Sequence, residues 1–153
     1  MTAKDFFVHS SSEVHESVQI GRETKIWNNV QILPKAKLGV RCNVGKNVFI
    51  DTGVRIGDEC KVQNNVSIYR GVTIGSKCFL GPSMVFTNDL FPRAENHDFE
   101  IISTIVQDGA SIGANATIVC GVTIGRYSMI GAGSVVLKSV LPQALVVGNP
   151  AKL

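Results

Sequence analysis

The chain has 153 residues, which is the size of a single domain. Hydrophobic residues make up 44% and charged residues 18%, so the composition excludes an intrinsically disordered chain. The net charge of +3 is too small to indicate nucleic-acid binding, but it suits an anionic small molecule. No apolar run reaches the length of a membrane span, and the amino terminus lacks the apolar stretch of a secretory signal, so we expect a cytoplasmic protein.

An aliphatic or aromatic residue recurs every six residues along most of the chain. From Val8 to Phe86 this register holds at fourteen consecutive positions, and it resumes from Val106 to Val136. Nine of the fifteen glycines directly follow the register residue. The period predicts short extended segments separated by corners that glycine makes easier, which is the pattern of coiled parallel β-structure. One hexapeptide buries too little apolar surface to be stable alone, so the coils must stack.

Longer spacings indicate that three hexapeptides form one coil. Three sets of residues recur at intervals of 18: Cys42, Cys60 and Cys78; Asn29, Asn47 and Asn65; and Glu23, Arg41, Glu59 and Lys77. In a coil of 18 residues each set becomes a column of neighbours about 4.8 Å apart. Charges then alternate in sign along one column, and the asparagines lie at corners where left-handed backbone angles occur. We therefore predict a triangular prism of about seven coils.

Neither the cysteines nor the histidines have the spacing of a metal site. The three cysteines in the column take small inward positions, lack a Cys-x-x-Cys spacing, and are interpreted as reduced core residues. Cys120 falls on an outward position and is given no role. His9 and His15 both fall in the first coil and point from different faces, so we expect no metal ion. The third histidine, His97, falls where the repeat is interrupted.

This interruption is the strongest candidate for a functional site. Twenty residues separate Phe86 from Val106 where six would continue the register, which predicts a protruding loop at about 87–105. Long loops on rigid scaffolds usually carry function, although a tolerated insertion or a clamp between subunits is an alternative. We expect one domain over residues 1–153, with coils at 8–86 and 106–141 and a tail at 142–153.

Several segments of the chain resemble one branch of the hexapeptide-repeat acyltransferases. They are KVQNNVSIY at 61–69, GPS at 81–83, VFTND at 85–89 with Pro92 and Arg93, and GASIGANATI at 109–118. These segments are similar to those of the N-acetyltransferases that act on 3-amino sugars of sugar nucleotides for cell-surface polysaccharides such as O-antigen. The resemblance implies an all-β fold, the left-handed parallel β-helix. It also implies acetyl-CoA as acyl donor, no metal, and a homotrimer with active sites between subunits, without nucleic-acid or membrane partners.

The resemblance further assigns the acceptor side of the reaction to residues in and beside the loop. Asn88 is expected to hold the sugar amine through its amide, and Asp89 either accepts the proton or shapes the turn before Pro92. The residues expected to contact the sugar nucleotide are Gln63, Tyr69, Arg70, Arg93 and His97. The two arginines among them suit the diphosphate, because a guanidinium can hold phosphate through two hydrogen bonds.

The donor side is assigned to three residues after the loop. Ala114 and Ala132 are 18 residues apart, so they stack on successive coils and let the pantetheine arm run close to the backbone. The backbone amides there are expected to donate to the oxyanion. Lys138 matches the basic position for the CoA phosphate, with an ordinary solvated lysine as the alternative.

Two other functions stay open at this point. One is a sugar or xenobiotic O-acetyltransferase that uses His97 as its general base. The other is a non-catalytic β-helix scaffold. The choice between a dTDP- and a UDP-linked acceptor is also open.

Overall fold

The computed structural model describes residues 5–153, so the first four residues of the expected domain lie outside the described residues. Within this range the secondary structure consists of short β-strands. Before the loop they are β1 (Phe7–Val8), β2 (Glu13–Val14), β3 (Gln19–Ile20), β4 (Lys25–Ile26), β5 (Gln31–Ile32), β6 (Lys37–Leu38), β7 (Asn43–Val44), β8 (Phe49–Ile50), β9 (Arg55–Ile56), β10 (Lys61–Val62), β11 (Ser67–Ile68), β12 (Val72–Ile74), β13 (Phe79–Leu80) and β14 (Val85–Phe86). After the loop they are β15 (Thr104–Val106), β16 (Ser111–Ile112), β17 (Thr117–Ile118), β18 (Thr123–Ile124), β19 (Met129–Ile130), β20 (Val135–Val136) and β21 (Leu145–Val146). In residues 5–153 there is accordingly no helix long and apolar enough to cross a membrane.

The strands form three parallel sheets, because every third strand returns to the same face of the prism. Sheet A contains β1, β4, β7, β10, β13, β16, β19 and β21; sheet B contains β2, β5, β8, β11, β14, β17 and β20; sheet C contains β3, β6, β9, β12, β15 and β18. In sheet A, Lys61 is in register with Asn43 on one side and Phe79 on the other, an offset of 18 residues. The three-hexapeptide coil and the all-β, parallel β-helix fold are thus confirmed, with seven coils and the start of an eighth, consistent with the left hand that the resemblance implies.

The residues of the six-residue register fill the interior of the prism. Ile50, Ile68 and Ile118 are fully buried, and Phe86 is 1% exposed. The loop ends two residues earlier than the predicted end at 105, because β15 begins at Thr104. This residue takes the small inward position of its coil and is fully buried.

The cysteine column lies inside the prism, as predicted. The Cys42 thiol donates to the carbonyl oxygen of Gly57 at 3.1 Å, and Cys60 donates to that of Gly75 at 3.0 Å. The hydrogen bond with the neighbouring Cys60 thiol and burial together raise the pKa of Cys42 far above its usual range. These thiols are therefore inert packing groups.

The outward position predicted for Cys120 is wrong, because this residue is only 4% exposed. The loop and its attachment points cover it. The hydroxyl oxygen of Thr87 accepts the Cys120 amide at 3.0 Å, and the carbonyl oxygen of Ser103 accepts the Gly121 amide at 3.0 Å. The hexapeptide pattern describes one coil at a time, so it could not show that a distant segment packs over this corner.

The corner columns behave largely as predicted. Asn47 and Asn65 have φ of 58° and 63°, and the Asn47 amide group donates to Asn65 Oδ1 at 3.1 Å. In the charged column, Arg41 pairs with Glu59 at 3.1 Å, and this is the single ion pair within residues 5–153. With both side chains more than 40% exposed, the pair contributes at most about 1 kcal/mol.

The glycines that follow the register residues serve a steric need. A Cβ added to Gly57 would lie 2.6 Å from the carbonyl carbon of Gly75 in the next coil. No side chain fits at that distance, because the backbone of the neighbouring coil cannot move aside without separating the strands. Close stacking of the coils therefore requires glycine at such positions.

Candidate active site

The loop leaves the prism at the turn between sheet B and sheet C, which we name the loop corner. Arg70, Asn88, Cys120 and Lys138 occupy equivalent positions there in four successive coils. The loop begins after Asn88, and the Ile102 amide donates back to the Asn88 carbonyl oxygen at 3.0 Å. The beginning and the end of the loop are thus tied together on the rigid prism.

The returning segment of the loop lies between the corners of the preceding coil and the following coil. The Thr104 amide donates to the carbonyl oxygen of Gly71 at 3.0 Å, and the Gly121 amide donates to that of Ser103 at the same distance. Gly71 has a φ of 99°, and a Cβ on it would lie 2.6 Å from Ile101 Cγ2. Glycine is therefore required here both for the backbone angle and for the approach of the loop.

Asn88 lies at the point where the rigid coil passes into the loop, and it is half-buried. Its side-chain NH₂ group donates to the backbone carbonyl oxygen of Arg70 at 3.2 Å. This bond sets the orientation of the amide, so that Oδ1 is left to accept a hydrogen bond from a ligand. The arrangement suits a side chain that positions a nucleophile with N–H groups.

Of the remaining loop residues that the sequence singles out, Asp89 is half-buried like Asn88, whereas Arg93 and His97 are exposed. Asp89 Oδ1 accepts the Phe91 amide at 2.9 Å, as expected of a residue that shapes the turn. Arg93 is exposed, and its Nη1 donates to the carbonyl oxygen of Pro92 at 3.0 Å. His97 is exposed in a stretch whose residues are all exposed, and no hydrogen bond within the described chain orients its ring.

Beside Asn88, the outer surface of sheet B carries aromatic and acidic side chains. Tyr69 is 38% exposed, and its ring centroid lies 5.9 Å from that of Phe49. The carboxylate of Asp51 accepts the Thr52 amide at 2.7 Å and the Arg70 amide at 3.0 Å. Sequence reasoning identified Tyr69 but missed Phe49, Asp51 and the capping hydroxyl of Thr87.

A signal in the sequence could have pointed to these residues. In sheet C, glycine follows the inward residue of the strand in five of six strands, whereas in sheet B it does so in none of seven. The residue that directly follows each sheet B strand therefore carries a side chain, and Asp51, Tyr69 and Thr87 are among these residues. Loss of the stacking glycine along one face marks the face where side chains are needed for another purpose.

Gln63, Ala114 and Ala132 lie elsewhere, at the turn between sheet A and sheet B, which we name the A–B corner. The Gly133 amide donates to the Ala114 carbonyl oxygen at 2.8 Å, so the two alanines stack on successive coils. A Cβ on Gly113 would lie 2.5 Å from the Ala132 nitrogen, so the backbone at Gly113 packs directly against the next coil. The structure thus divides the candidate residues: Asn88, Asp89, Tyr69, Arg70 and Lys138 at the loop corner, Arg93 and His97 in the loop, and three residues at the A–B corner.

Within residues 5–153, no group of three His, Cys, Asp or Glu side chains is placed to hold a metal ion.

Comparison with known proteins places these features in a family. The models for the hexapeptide repeat of succinyl-transferase and for the bacterial transferase hexapeptide (six repeats) match residues 35–70 and 103–138. The dTDP-3-amino-3,6-dideoxy-alpha-D-galactopyranose 3-N-acetyltransferase of Aneurinibacillus thermoaerophilus is 53% identical over 147 residues. That match covers 96% of this chain and 76% of the relative.

Solved structures agree with this result. A hexapeptide-repeat acetyltransferase from Vibrio cholerae, complexed with acetyl-coenzyme A, is 32% identical with a TM-score of 0.58, covering 71% of this chain and 67% of that one. A perosamine N-acetyltransferase variant from Caulobacter crescentus, in complex with CoA and GDP-perosamine, is 23% identical with a TM-score of 0.58. It matches 95% of this chain, which spans about half of that protein (54%), and the likeness shows the fold alone. Because the Aneurinibacillus relative is more than half identical across nearly the whole chain, this protein belongs to the hexapeptide-repeat acetyltransferases, in the branch that the sequence predicted.

Proposed function

We propose that this protein transfers an acetyl group from acetyl-CoA to the 3-amino group of a dTDP-linked 3-amino-3,6-dideoxyhexose. The observation that carries the proposal is the 53% identity, over 96% of the chain, to an enzyme named for this reaction. The acetyl-coenzyme A complex of the Vibrio cholerae relative supports the donor. A product of this kind serves the synthesis of cell-surface polysaccharides.

Asn88 is the residue to which we assign the acceptor amine. With one N–H of its NH₂ group bound to the Arg70 carbonyl, the Asn88 side chain presents Oδ1, which can accept an N–H of the neutral amine and aim the nitrogen lone pair. An amide cannot take up the proton that the amine loses when it attacks the thioester. In this mechanism the departing CoA thiolate receives that proton, so no histidine base is required.

The nucleotide part of the acceptor would extend from the loop corner. The guanidinium groups of Arg70 and Arg93, both exposed, would contact the diphosphate, and the Tyr69 ring would pack against the sugar. His97 would contact the acceptor from the loop without acting as its base. Asp89 keeps its turn-shaping bond to the Phe91 amide and is left without a proton-transfer role.

The donor would run along the A–B corner of a neighbouring copy. There Ala114 and Ala132 allow the pantetheine arm to approach the backbone, and Gln63 would contact the acceptor from the same corner. Lys138, exposed at the loop corner, would meet a CoA phosphate across the interface. A site built in this way is complete only when two different corners meet, which one chain cannot achieve by itself.

A homotrimer is therefore part of the proposal. One outward column of sheet A contains Phe79, Met129 and Leu145, at 36%, 55% and 55% exposure, with Ser111 between Phe79 and Met129. Exposed apolar columns of this kind are suited to contact between copies of the chain, and cyclic symmetry closes the assembly. Because acetyl-CoA is a cytoplasmic metabolite, we place the reaction in the cytoplasm.

The function is tested with two acceptors that differ in one group. Purified protein is incubated with acetyl-CoA and either a dTDP-3-amino-3,6-dideoxyhexose or the matching dTDP-6-deoxyhexose with a 3-hydroxyl group. We expect release of CoA thiol and a product heavier by one acetyl group with the amine alone. Acetylation of the hydroxyl sugar in preference to the amine would refute the proposal in favour of an O-acetyltransferase. The UDP-linked amino sugar, tested alongside, decides the nucleotide.

A further inference from the structure

Two of the four backbone amides of the loop corner are capped by side chains from the preceding coil. The Arg70 amide donates to Asp51 Oδ2 at 3.0 Å, and the Cys120 amide donates to Thr87 Oγ1 at 3.0 Å. In both cases the capping residue directly follows the inward residue of a sheet B strand, and the capped amide belongs to the corner of the next coil. An oxygen atom therefore occupies the same place beside the corner amide in two coils.

The other two corner amides have no such cap. The amide of Lys138 has Val119 in the capping position, which has no side-chain oxygen, and the amide of Asn88 lies between the two capped amides. For Asn88, the residue in the capping position is Tyr69, whose hydroxyl lies at the far end of a ring that is turned toward Phe49. Within residues 5–153 no group accepts a hydrogen bond from the Asn88 amide, although the Asn88 carbonyl and side chain are both bonded. A corner amide without a protein acceptor thus belongs to the residue that we assign to the nucleophile.

We propose that the backbone N–H of Asn88 donates to the thioester carbonyl oxygen of acetyl-CoA and stabilises the oxyanion. The inference rests on the proposed acetyl transfer. The amine nitrogen bonds to the carbonyl carbon, and the carbonyl π-electron pair moves onto oxygen, where the Asn88 N–H meets it. When this pair returns, the carbon–sulfur bond breaks, the CoA thiolate leaves and it takes the proton from nitrogen. This proposal places the hydrogen-bond donor to the oxyanion at the loop corner, whereas the sequence predicted that backbone amides at the A–B corner fill this role.

Geometry favours a single residue for both contacts. In the tetrahedral intermediate the attacking nitrogen and the oxyanion are bonded to the same carbon, so their hydrogen-bond partners must lie close together. Asn88 offers an acceptor at Oδ1 and a donor at its backbone nitrogen. Both are preorganised, because the Arg70 carbonyl holds the side chain and the Ile102 amide holds the backbone. A donor held in place before the reaction stabilises developing charge without reorganisation.

The test is to restore the missing cap. Tyr69→Thr places a hydroxyl where Thr87 has one in the next coil, so it should cap the Asn88 amide and compete with the thioester oxygen. Tyr69→Val is the matched control, because it has the same shape and lacks the oxygen. At saturating concentrations of both substrates, we expect kcat of Tyr69→Thr to lie about a hundredfold to a thousandfold below that of Tyr69→Val, the loss typical of one oxyanion donor. Tyr69→Asp, copied from Asp51, gives a second capping variant.

Amide hydrogen exchange measured by NMR gives a readout that does not depend on activity. In the unliganded wild type, the Asn88 amide should exchange faster than those of Arg70 and Cys120, and Tyr69→Thr should slow it. Equal kcat values for the Thr and Val variants would overturn the inference, as would an Asn88 amide already as protected as its two neighbours. A wild type that acetylates no amino sugar would instead refute the proposed function, so the two failures are distinguishable.

Discussion

Replacing Asn88 by alanine separates the two chemistries that this fold can perform. The substitution removes the Oδ1 acceptor for the amine and the 3.2 Å bond to the Arg70 carbonyl, but it keeps the backbone bond to Ile102. Loss of a half-buried hydrogen bond of this length costs about 0.5–1.5 kcal/mol of stability, so the trimer should survive. The reaction loses the positioning of its nucleophile, and we expect kcat to fall about tenfold to a thousandfold.

The assay is the release of CoA thiol with one amino-sugar acceptor, at saturating acetyl-CoA, for Asn88→Ala and His97→Ala side by side. His97 is exposed and is not oriented by any hydrogen bond within the described chain, so its variant should keep most of its kcat. KM for acetyl-CoA should be unchanged in both. A His97 variant without activity beside an active Asn88 variant would show that a loop base performs the reaction and that the assignment of Asn88 is wrong.

Three further predictions concern the prism itself. Gly57→Ala places a Cβ within 2.6 Å of the next coil and should lower the free energy of unfolding by about 1–3 kcal/mol. Gly53→Ala is the control: its Cβ would have nothing within 4 Å, so only the φ of 71° is unfavourable and the loss should be about 1 kcal/mol. Equal losses in thermal denaturation would contradict the steric explanation. Arg41→Glu removes the ion pair with Glu59 and adds a third carboxylate to its column, so Tm should fall by about 2–8 °C. The value of kcat per folded trimer should stay the same. A loss of activity at unchanged Tm would mean that the active site is elsewhere. All four cysteines are buried, so a thiol reagent should label none in the native protein and four after unfolding; rapid labelling of the native protein would contradict the burial.

The fold was predictable because every level of the sequence repeats the same information. The six-residue register sets the inward column, the 18-residue spacings set the coil, and Asn47 and Asn65 adopt the corner angles expected of them. The repeat cannot describe contacts made by a segment that leaves it. For that reason the burial of Cys120 was missed, and so was the start of β15 at Thr104.

The candidate site was predictable only in part, for a related physical reason. Asn88 and Tyr69 lie in segments that carry the family resemblance, and the structure brings them to one corner together with Arg70. Asp51 and Thr87 act through hydrogen bonds to the backbone of the next coil, so their importance depends on a neighbour that no local motif contains. In the proposed trimer the A–B corner residues meet the loop corner of another copy of the chain, and no motif within one sequence shows a contact between copies.

Two variants with impaired active sites can test directly whether subunits share the active site. Asn88→Ala disables the loop corner, and Ala132→Trp should block the A–B corner by filling the path of the pantetheine arm. Each homotrimer is then impaired at every site. When the two chains are co-expressed in equal amounts, a site that joins the loop corner of one copy to the A–B corner of the next is intact in about one quarter of cases.

Under random assembly each mixed trimer holds one intact site in three, so the co-expressed population as a whole should regain about one quarter of the wild-type kcat per site. A site contained within one chain predicts no recovery, because every chain then carries a defect at its own site. Asn88→Ala mixed with Tyr69→Asp is the matched control, since both substitutions lie at the loop corner and no pairing of copies yields an intact one. Recovery of activity in this control would contradict a site formed from one loop corner and one A–B corner. Recovery in the first mixture alone would show that the two corners of a site come from different subunits.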